Sequence, residues 1–327
     1  MRVCFVSFNF SPLIGGAETR AEKQARQLQA LGHDVIVVTL RHYKHWKRQE
    51  MLNGLPVIRV GGIYNREGRL RTGRLGHLPM IITMCLTLWR LRHSYDILHA
   101  LQLLPPVALI GKLIHKPAIL SIQSTGPDEA QRARLEREGA RLMADTLTET
   151  SFLSIDRKDW MAGAGDIDHL PQLALGRTWL RFLRKSNAYY QILSTRGRSY
   201  LTSHRFRDGQ IIHIPGSVDT ERFQPVPERK PNPTKPERDI ICVARLDYAK
   251  GVDVLLHAWG RMLREPAEWR AGLKLRLRLV GEGEYRTQME RIVAELGIQD
   301  SVEFLGLRTD VVDLLQQSWG FVMPSRW

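Results

Sequence analysis

The chain has few cysteines, no apolar run of membrane-spanning length, and acidic residues that are scarce over most of its length. Cys4, Cys85 and Cys242 are too few for a disulfide framework, so we expect reduced, buried thiols. The longest apolar run, residues 78–89, has about a dozen residues, whereas a membrane-spanning helix needs about 20. Because Met1 leads directly into a strand pattern, we expect no signal peptide and a cytoplasmic protein.

The shortage of acidic residues is confined to the first part of the chain. Residues 1–236 carry 35 Lys and Arg against 20 Asp and Glu, while the remainder carries 13 against 14, which together give the net charge of +14. This asymmetry points to an anionic partner for the first part, namely membrane lipid, an acidic glycan or nucleic acid. No recognition-module pattern accompanies the charge, so we expect no nucleic-acid partner.

Basic and aromatic residues alternate between residues 41 and 74. Either this segment is an exposed face that meets anionic lipid or an acidic acceptor, or it is a solvated loop. The apolar residues that follow end in Trp89, Arg90 and Arg92. They form either a helix at a membrane interface, with its arginines toward headgroups, or a core helix under a sheet.

A strand, a polar turn and an amphipathic helix follow one another between residues 240 and 262. Residues 240–244 are β-prone, residues 245–251 are polar, and apolar residues then recur with helical spacing. Arg245 therefore follows the carboxyl end of a strand, and Lys250 precedes a helix N-terminus. Ligands of open α/β sheets bind at that edge, and helix N–H groups favour an anion. The two cations indicate a phosphate-bearing ligand, with a merely solvated loop as the alternative.

Residues 243–258, VARLDYAKGVDVLLHA, resemble the (V/I)-G-R-L-x-x-x-K-G-x-x-x-L-(L/I)-x-A signature of family 4 retaining glycosyltransferases. Only Ala244 departs from it, by replacing a glycine. The resemblance implies that Arg245 and Lys250 hold the diphosphate of a nucleotide-sugar donor. It also implies the GT-B fold, an α/β architecture in which two Rossmann-like domains face a cleft.

The Gly15-Gly16 pair lies between the first predicted strand and the first predicted helix. Glycines there let a backbone approach a ligand closely. With Ala17 and Glu18, the pair resembles the family's G-G-A-E loop, which implies a second contact to the donor diphosphate. Glu18 either contacts the acceptor or sugar, or favours the helix N-terminus through its dipole.

Further candidates are positioned by resemblance alone. Relatives place the transferred sugar near the end of the strand predicted at residues 117–122, which makes the residues after it possible substrate contacts: Gln123, Ser124 and Thr125. After the F-L-G turn, Leu307 and Arg308 are expected beside the nucleobase. His99 lies in a segment that resembles D-(I/V)-(L/V)-H-x-H but lacks the second histidine, so we expect a hydrogen-bonded structural residue.

The predicted domain organisation follows the same resemblance. Residues 1–224 are expected to form an acceptor-side Rossmann-like domain, with an insertion at about 127–165. Five prolines mark a stiff linker at 225–237, and residues 238–327 are expected to form the nucleotide-sugar-binding domain. Relatives continue beyond the position of Trp327 into a segment whose carboxylates hold the donor sugar. The second domain is therefore expected to be truncated, and no catalytic residue is assigned.

The function implied by the resemblance is transfer of a sugar from a nucleotide-diphosphate sugar to a glycan or lipid-linked acceptor, with retention of configuration. The two cations are expected to stabilise the leaving diphosphate without a metal or other cofactor. The basic first part suggests a peripheral position on the inner face of a membrane, in polysaccharide biosynthesis. A non-catalytic nucleotide-sugar-binding protein remains an alternative, as does a GT-B epimerase or phosphorylase.

Overall fold

The computed structural model of the chain describes residues 1–13, 16–71, 74–102, 104–125, 167, 176–226, 234, 236–266, 268 and 271–326. The predicted insertion and most of the predicted linker lie outside these residues. Contacts divide the chain into two units. Their described residues fall within 1–125 and 167–216 for the first unit, and within 217–326 for the second.

The described residues of the first unit form an eight-stranded sheet in the order β3-β4-β2-β1-β5-β6-β7-β8. The strands are β1 Arg2–Ser7, β2 Asp34–Leu40, β3 Gln49–Leu52, β4 Leu55–Val60, β5 Ile97–Ala100, β6 Ala118–Ile122, β7 Tyr189–Ile192 and β8 Ile211–His213. All neighbours pair in parallel except β3 and β4. These two form a hairpin that the sequence analysis did not predict. Its turn residues Asn53 and Gly54 both have positive φ, as a two-residue hairpin turn requires.

Helices cover both faces of this sheet, and for that reason most residues of its central strands are apolar. They are α1 Gly16–Ala30, α2 Arg74–Arg90, α3 Pro105–Leu113, α4 Gly176–Lys185 and α5 Thr195–Ser203. Successive strand residues point to opposite faces. Phe5 packs with Ala21 and Ala25 of α1, whereas Cys4 belongs to the cluster that contains Met84 of α2.

The second unit has a parallel sheet of four strands within its described residues, in the order β11-β10-β9-β12. The strands are β9 Glu237–Val243, β10 Lys274–Val280, β11 Val302–Gly306 and β12 Gly320–Phe321, and the helices are α6 Val252–Arg264, α7 Arg286–Leu296 and α8 Val311–Gln317. Leu256 of α6 and Met289 of α7 pack on one face with Leu279, and Leu314 of α8 packs on the other with Ile241. The predicted α/β class with two Rossmann-like units is confirmed.

The sequence predicts that Gly297 ends a helix and that Thr309 caps the last helix. The structure agrees with the first prediction and contradicts the second. Gly297 ends α7 in the left-handed conformation, with φ of 67°, as a glycine at that position permits. Thr309 was expected to cap the last helix. The residue that precedes α8 is instead Asp310, and its side chain makes no capping hydrogen bond, because its carboxylate is paired with Arg308.

The apolar segment that contains residues 78–89 lies largely in α2, which is 17 residues long. In the part of the chain that the structure describes, no helix has both the length and the hydropathy to cross a membrane. The cysteines follow the expectation: Cys4 and Cys242 are buried, Cys85 is partly buried, and all three are free thiols. Burial raises the pKa of Cys242 to about 11.

His99 belongs to a polar network on the face of the first sheet that also packs against α1. Its Nε2 lies 3.0 Å from Oε1 of Gln191 and 3.2 Å from Oγ of Ser121, and both of these partners are buried. Because the Gln191 oxygen carries no proton, Nε2–H is the donor. Desolvation lowers the pKa of His99 to about 4, against a smaller opposite effect of the Gln191 hydrogen bond. The expectation of a hydrogen-bonded structural histidine agrees with this geometry.

A neutral, desolvated His99 makes stability depend on pH in a defined window. The unfolded chain takes up this proton near pH 6.5 and the folded protein only near pH 4, so stability is lost as the pH falls between these values. We expect His99→Gln to reduce that loss by up to about 3 kcal/mol. Urea denaturation at pH 7 and pH 4.5 measures it, with the exposed His213→Gln as a control. Equal pH dependence in wild type and His99→Gln would contradict this role.

Candidate functional site

The carboxyl edge of the second sheet contains the point at which chain connections diverge. From β9 the chain passes through α6 to β10 on one side, while β12 pairs with β9 on the other side. Ligands of open parallel sheets bind in the crevice at such a point. Residues 244–251, after β9, and residues 322–326, after β12, flank it.

The loop after β9 is organised by Asp247. One carboxylate oxygen accepts the backbone N–H of Lys250 at 3.1 Å, and the other pairs with Nη2 of Arg245 at 2.8 Å. This capping supports one turn of 3-10 helix, Tyr248–Lys250, after which Gly251 takes the left-handed conformation and α6 begins. The Arg245 side chain is 73% exposed, and no ion pair is recorded for Lys250 among the described residues. The loop thus presents two cations beside a helix N-terminus.

The segment after β12 packs directly against this loop. A Cβ on Gly251 would lie 2.3 Å from the carbonyl oxygen of Pro324, so only glycine fits there. Two residues later the backbone N–H of Arg326 donates to the carbonyl of Ala249 at 2.8 Å. The loop that carries Lys250 is therefore held by backbone contacts as well as by its own cap.

Arg326 also forms a buried ion pair. Its guanidinium donates to both carboxylate oxygens of Asp253 at 2.9 and 2.7 Å and to the carbonyl of Tyr248 at 2.7 Å. It stacks on the Tyr248 ring, 4.1 Å from its centroid. Asp253 lies in the first turn of α6 and is fully buried. Its charge is thus neutralised by Arg326 next to the candidate anion site.

The Gly281-Glu282-Gly283 turn after β10 packs against the same loop from the other side. A Cβ on Gly281 would lie 1.9 Å from the carbonyl oxygen of Ala244, and one on Gly283 would lie 2.3 Å from that of Leu246. The Leu246 N–H donates to the Glu282 carbonyl at 3.1 Å. Glycine is needed at both positions because the loops after β9 and β10 pack with their backbones in direct contact.

The residues expected beside the nucleobase follow β11, the next strand of the sheet. Leu307 is exposed, and Arg308 is exposed and paired with Asp310 at 2.6 Å. Gly306 links this loop to the neighbouring one, because its carbonyl accepts the Gly281 N–H at 2.8 Å. The structure therefore places Arg245, Lys250, Leu307 and Arg308 at one edge of one sheet.

The remaining candidates lie at the carboxyl edge of the first sheet. Gly16 is the first residue of α1, and apart from its chain neighbours and the helix backbone no heavy atom of the described residues lies within 4 Å of where its Cβ would be. Glu18 is part-buried in the first turn of α1, while Gly15 lies outside the described residues. The other candidates follow β6 and are part-buried: Gln123, Ser124 and Thr125. The Gln123 amide donates to the carbonyl of Leu101, after β5, at 2.6 Å.

Some polar residues near these edges were not singled out from the sequence. Nε and Nη2 of Arg20, in α1, are buried and have no hydrogen-bond partner among the described residues, and the same holds for Oγ of Ser325. Burial lowers the pKa of Arg20. The only sequence signal for Arg20 was a charge next to Ala21 on the buried face of a helix. No role was predicted from the sequence for Ser325, Asp253 or Arg326.

Comparisons with known proteins agree with this architecture. The model of the glycosyl transferase 4-like domain matches residues 15–157, and that of glycosyl transferases group 1 matches residues 225–327. An MMP alpha-(1->4)-mannosyltransferase from Mycolicibacterium hassiacum is 24% identical over 92% of this chain and 69% of its own length. A GDP-mannose-dependent alpha-(1-6)-phosphatidylinositol monomannoside mannosyltransferase from Mycolicibacterium smegmatis is 27% identical over 40% of this chain. The chain spans only 34% of the length of that enzyme.

A solved structure shows the same fold. Anabaena HepE, in complex with UDP-glucose, matches 99% of this chain and 74% of its own with a TM-score of 0.61 at 15% identity. The two family models cover separate parts of the chain, and the two described sheets have the Rossmann-like topology of such enzymes. The first part of the chain is thus similar to the glycosyl transferase 4-like domain and the last part to glycosyl transferases group 1, and both described units have the α/β fold of such enzymes.

Proposed function

We propose that the protein transfers a sugar from a nucleotide-diphosphate sugar to a glycan or lipid-linked acceptor, with retention of configuration. The observation that carries this proposal is the loop after β9, where Arg245 and Lys250 stand beside the N-terminus of α6 at the divergence point of the second sheet. This is the arrangement that binds a diphosphate: two cations and free helix N–H groups.

The proposed chemical role of this loop is to stabilise the charge that builds on the diphosphate as the sugar leaves. A well-placed donor of this kind contributes about 3–4 kcal/mol to transition-state stabilisation. Arg326 neutralises Asp253 in the first turn of α6, so that carboxylate does not oppose the anion. We propose no metal or other cofactor for this step, since the cations themselves supply the compensating charge.

Other residues are proposed by resemblance to the family. We propose the donor diphosphate as the ligand of Gly15 and Gly16, the nucleobase as the neighbour of Leu307 and Arg308, and acceptor or sugar as the contact of Glu18. Gln123, Ser124 and Thr125 are proposed as further substrate contacts. No catalytic residue is proposed.

The names of the relatives suggest which substrates to test first. One similar mannosyltransferase is named for GDP-mannose and for a phosphatidylinositol-linked acceptor, and HepE was solved with UDP-glucose. We propose a lipid-linked or glycan acceptor of this kind, used in polysaccharide biosynthesis. Peripheral contact of the basic first unit with an anionic membrane, on its cytoplasmic face, would bring the protein to such an acceptor.

The first prediction from the proposed function concerns the diphosphate. We expect Arg245→Ala and Lys250→Ala each to weaken binding of GDP or UDP at least tenfold, since a hydrogen bond to a charged group is worth about 1.5–3 kcal/mol. Titration calorimetry measures the dissociation constant of GDP or UDP for each variant. Arg261→Ala, an exposed arginine on α6, is the matched control and should bind as wild type does. Unchanged affinity in both loop variants would remove the basis of the proposed donor site.

The second prediction concerns the reaction. Incubation with GDP-mannose or UDP-glucose and a glycan or lipid-linked acceptor should give a product heavier by one hexose, with the anomeric configuration of the donor and no loss of rate in EDTA. Mass spectrometry and proton NMR of the anomeric signal report these results. Nucleotide binding without product under any acceptor would assign the chain to non-catalytic binding. An inverted product would refute retention.

A further inference from the structure

A cavity of about 620 Å³ opens in the first unit between β4, the residues just after it and α2. This volume lies in the range that holds a small ligand. Four of its lining residues are arginines, and none is acidic: Arg41, Arg48, Arg59 and Arg90. Because like charges converge there, the cavity suits an anion.

Arg59 lies on β4 beside the cavity, but its side chain points to the sheet face opposite α2, because Val57 on that same face packs in the cluster of α1. The Arg59 side chain is fully buried, Nε and Nη2 lie 2.9 and 2.7 Å from Oε1 of Glu50, and Nη2 also donates to the Ser11 carbonyl at 2.6 Å. Its guanidinium carbon lies 4.8 Å from the ring centroid of Trp46. Its Nη1 is also buried, with no hydrogen-bond partner among the described residues. Arg59 is therefore not a donor to a ligand in the cavity.

The remaining arginines supply the uncompensated charge. Arg41 donates to the backbone carbonyls of Trp46 and Lys44 and has no acidic partner recorded in the described part of the chain. No ion pair is recorded there for Arg48 or Arg90. Only Arg59 is paired, with Glu50. The cavity therefore retains a net positive charge.

Helix α2 connects this cavity to an exposed apolar surface. Its inner face is buried in the core through Met80, Met84 and Leu88, and the flank that lines the cavity carries Pro79, Thr83, Thr87 and Leu91. The opposite face carries four large apolar side chains that are 43–54% exposed. We call them the apolar stripe: Leu78, Ile82, Leu86 and Trp89. At 100° per residue the stripe lies opposite the core face and next to the cavity.

The end of the stripe has the chemistry of a membrane interface. The guanidinium carbon of Arg92 lies 5.1 Å from the ring centroid of Trp89, and Arg90 lines the cavity on the same turn. Tryptophan beside arginine suits the boundary between acyl chains and headgroups. Four exposed apolar side chains in one row mark an interaction surface, and the cations beside them select an anionic one.

We propose that the apolar stripe and the arginine cavity together dock the protein on an anionic lipid bilayer, with a lipid phosphate held in the cavity. This inference rests on the peripheral membrane contact proposed above and specifies where it occurs. The stripe would lie at the level of the upper acyl chains. Arg48 and Arg90 would donate to the phosphate oxygens.

Flotation with vesicles tests the proposal in two parts. The wild-type chain should float with phosphatidylcholine vesicles that contain 30% phosphatidylglycerol, on the order of the anionic content that gives a negative surface potential, and not with phosphatidylcholine alone. Arg48→Ala and Arg90→Ala should each lower the partition coefficient about fivefold, since each surface arginine contributes about 1 kcal/mol. Arg26→Ala, an exposed arginine on α1, is the matched control.

The apolar stripe is tested by the double variant Ile82→Ser and Leu86→Ser, which should lower the partition coefficient at least tenfold. Leu31→Ser, at another exposed leucine, is its control. If Arg26→Ala lowers the partition coefficient as much as Arg48→Ala does, binding depends on overall charge. That result would refute the cavity as the site of a lipid phosphate. Binding of inorganic phosphate or a soluble anionic polysaccharide without vesicle binding would overturn the bilayer as ligand. Calorimetry with GDP or UDP on the same variants should be unchanged, so failure here is distinguishable from failure of the donor site.

Discussion

The buried ion pair between Asp253 and Arg326 connects the parts of the second unit on which the candidate donor site depends. A buried carboxylate is tolerated only when its charge and lone pairs are satisfied, and Arg326 satisfies both oxygens of Asp253. The same guanidinium holds the carbonyl of Tyr248, and Pro324 fills the space beside Gly251. One interaction thus joins the first turn of α6, the turn that carries Lys250 and the segment after β12.

Two ion pairs balance most of the charge around the N-terminus of α6. Asp247 pairs with Arg245 and also caps the turn at Lys250, so the ligand-free loop carries a net charge of +1 rather than +2. The diphosphate that we propose as ligand would compete with Asp247 for Arg245 and leave the cap in place, because the two interactions use different carboxylate oxygens. Asp253, which would repel the ligand, is neutralised by Arg326. The helix dipole therefore remains available to the anion.

Local sequence patterns predicted the elements that have strong periodicity or a defined cap. The strand, turn and helix around Arg245, and the end of α7 at Gly297, follow from spacing and residue type alone. The hairpin at Asn53-Gly54 had a local signal that was missed. The pair of Asp253 and Arg326 spans 73 residues, and no local pattern specifies such a contact. The predicted Thr309 cap was wrong because Asp310 is the residue that precedes α8. The Asp310 carboxylate pairs with Arg308, and capping preferences of single residues do not account for such an ion pair.

The sequence left α2 between a core helix and an interfacial helix, and the structure shows why both interpretations had support. Met80 and Met84 are buried, while Ile82 and Leu86 on the opposite face are half exposed.

The excess of basic residues in the first part of the chain divides in a similar way. Some arginines form ion pairs with carboxylates of the same chain: Arg2 with Asp96, Arg59 with Glu50 and Arg198 with Asp208. Those with no ion pair recorded in the described chain include Arg48 and Arg90, which line the cavity beside the stripe. Because total charge counts all of these residues equally, it indicates an anionic partner but not its location, whereas pairing and burial together identify the surface that can meet it.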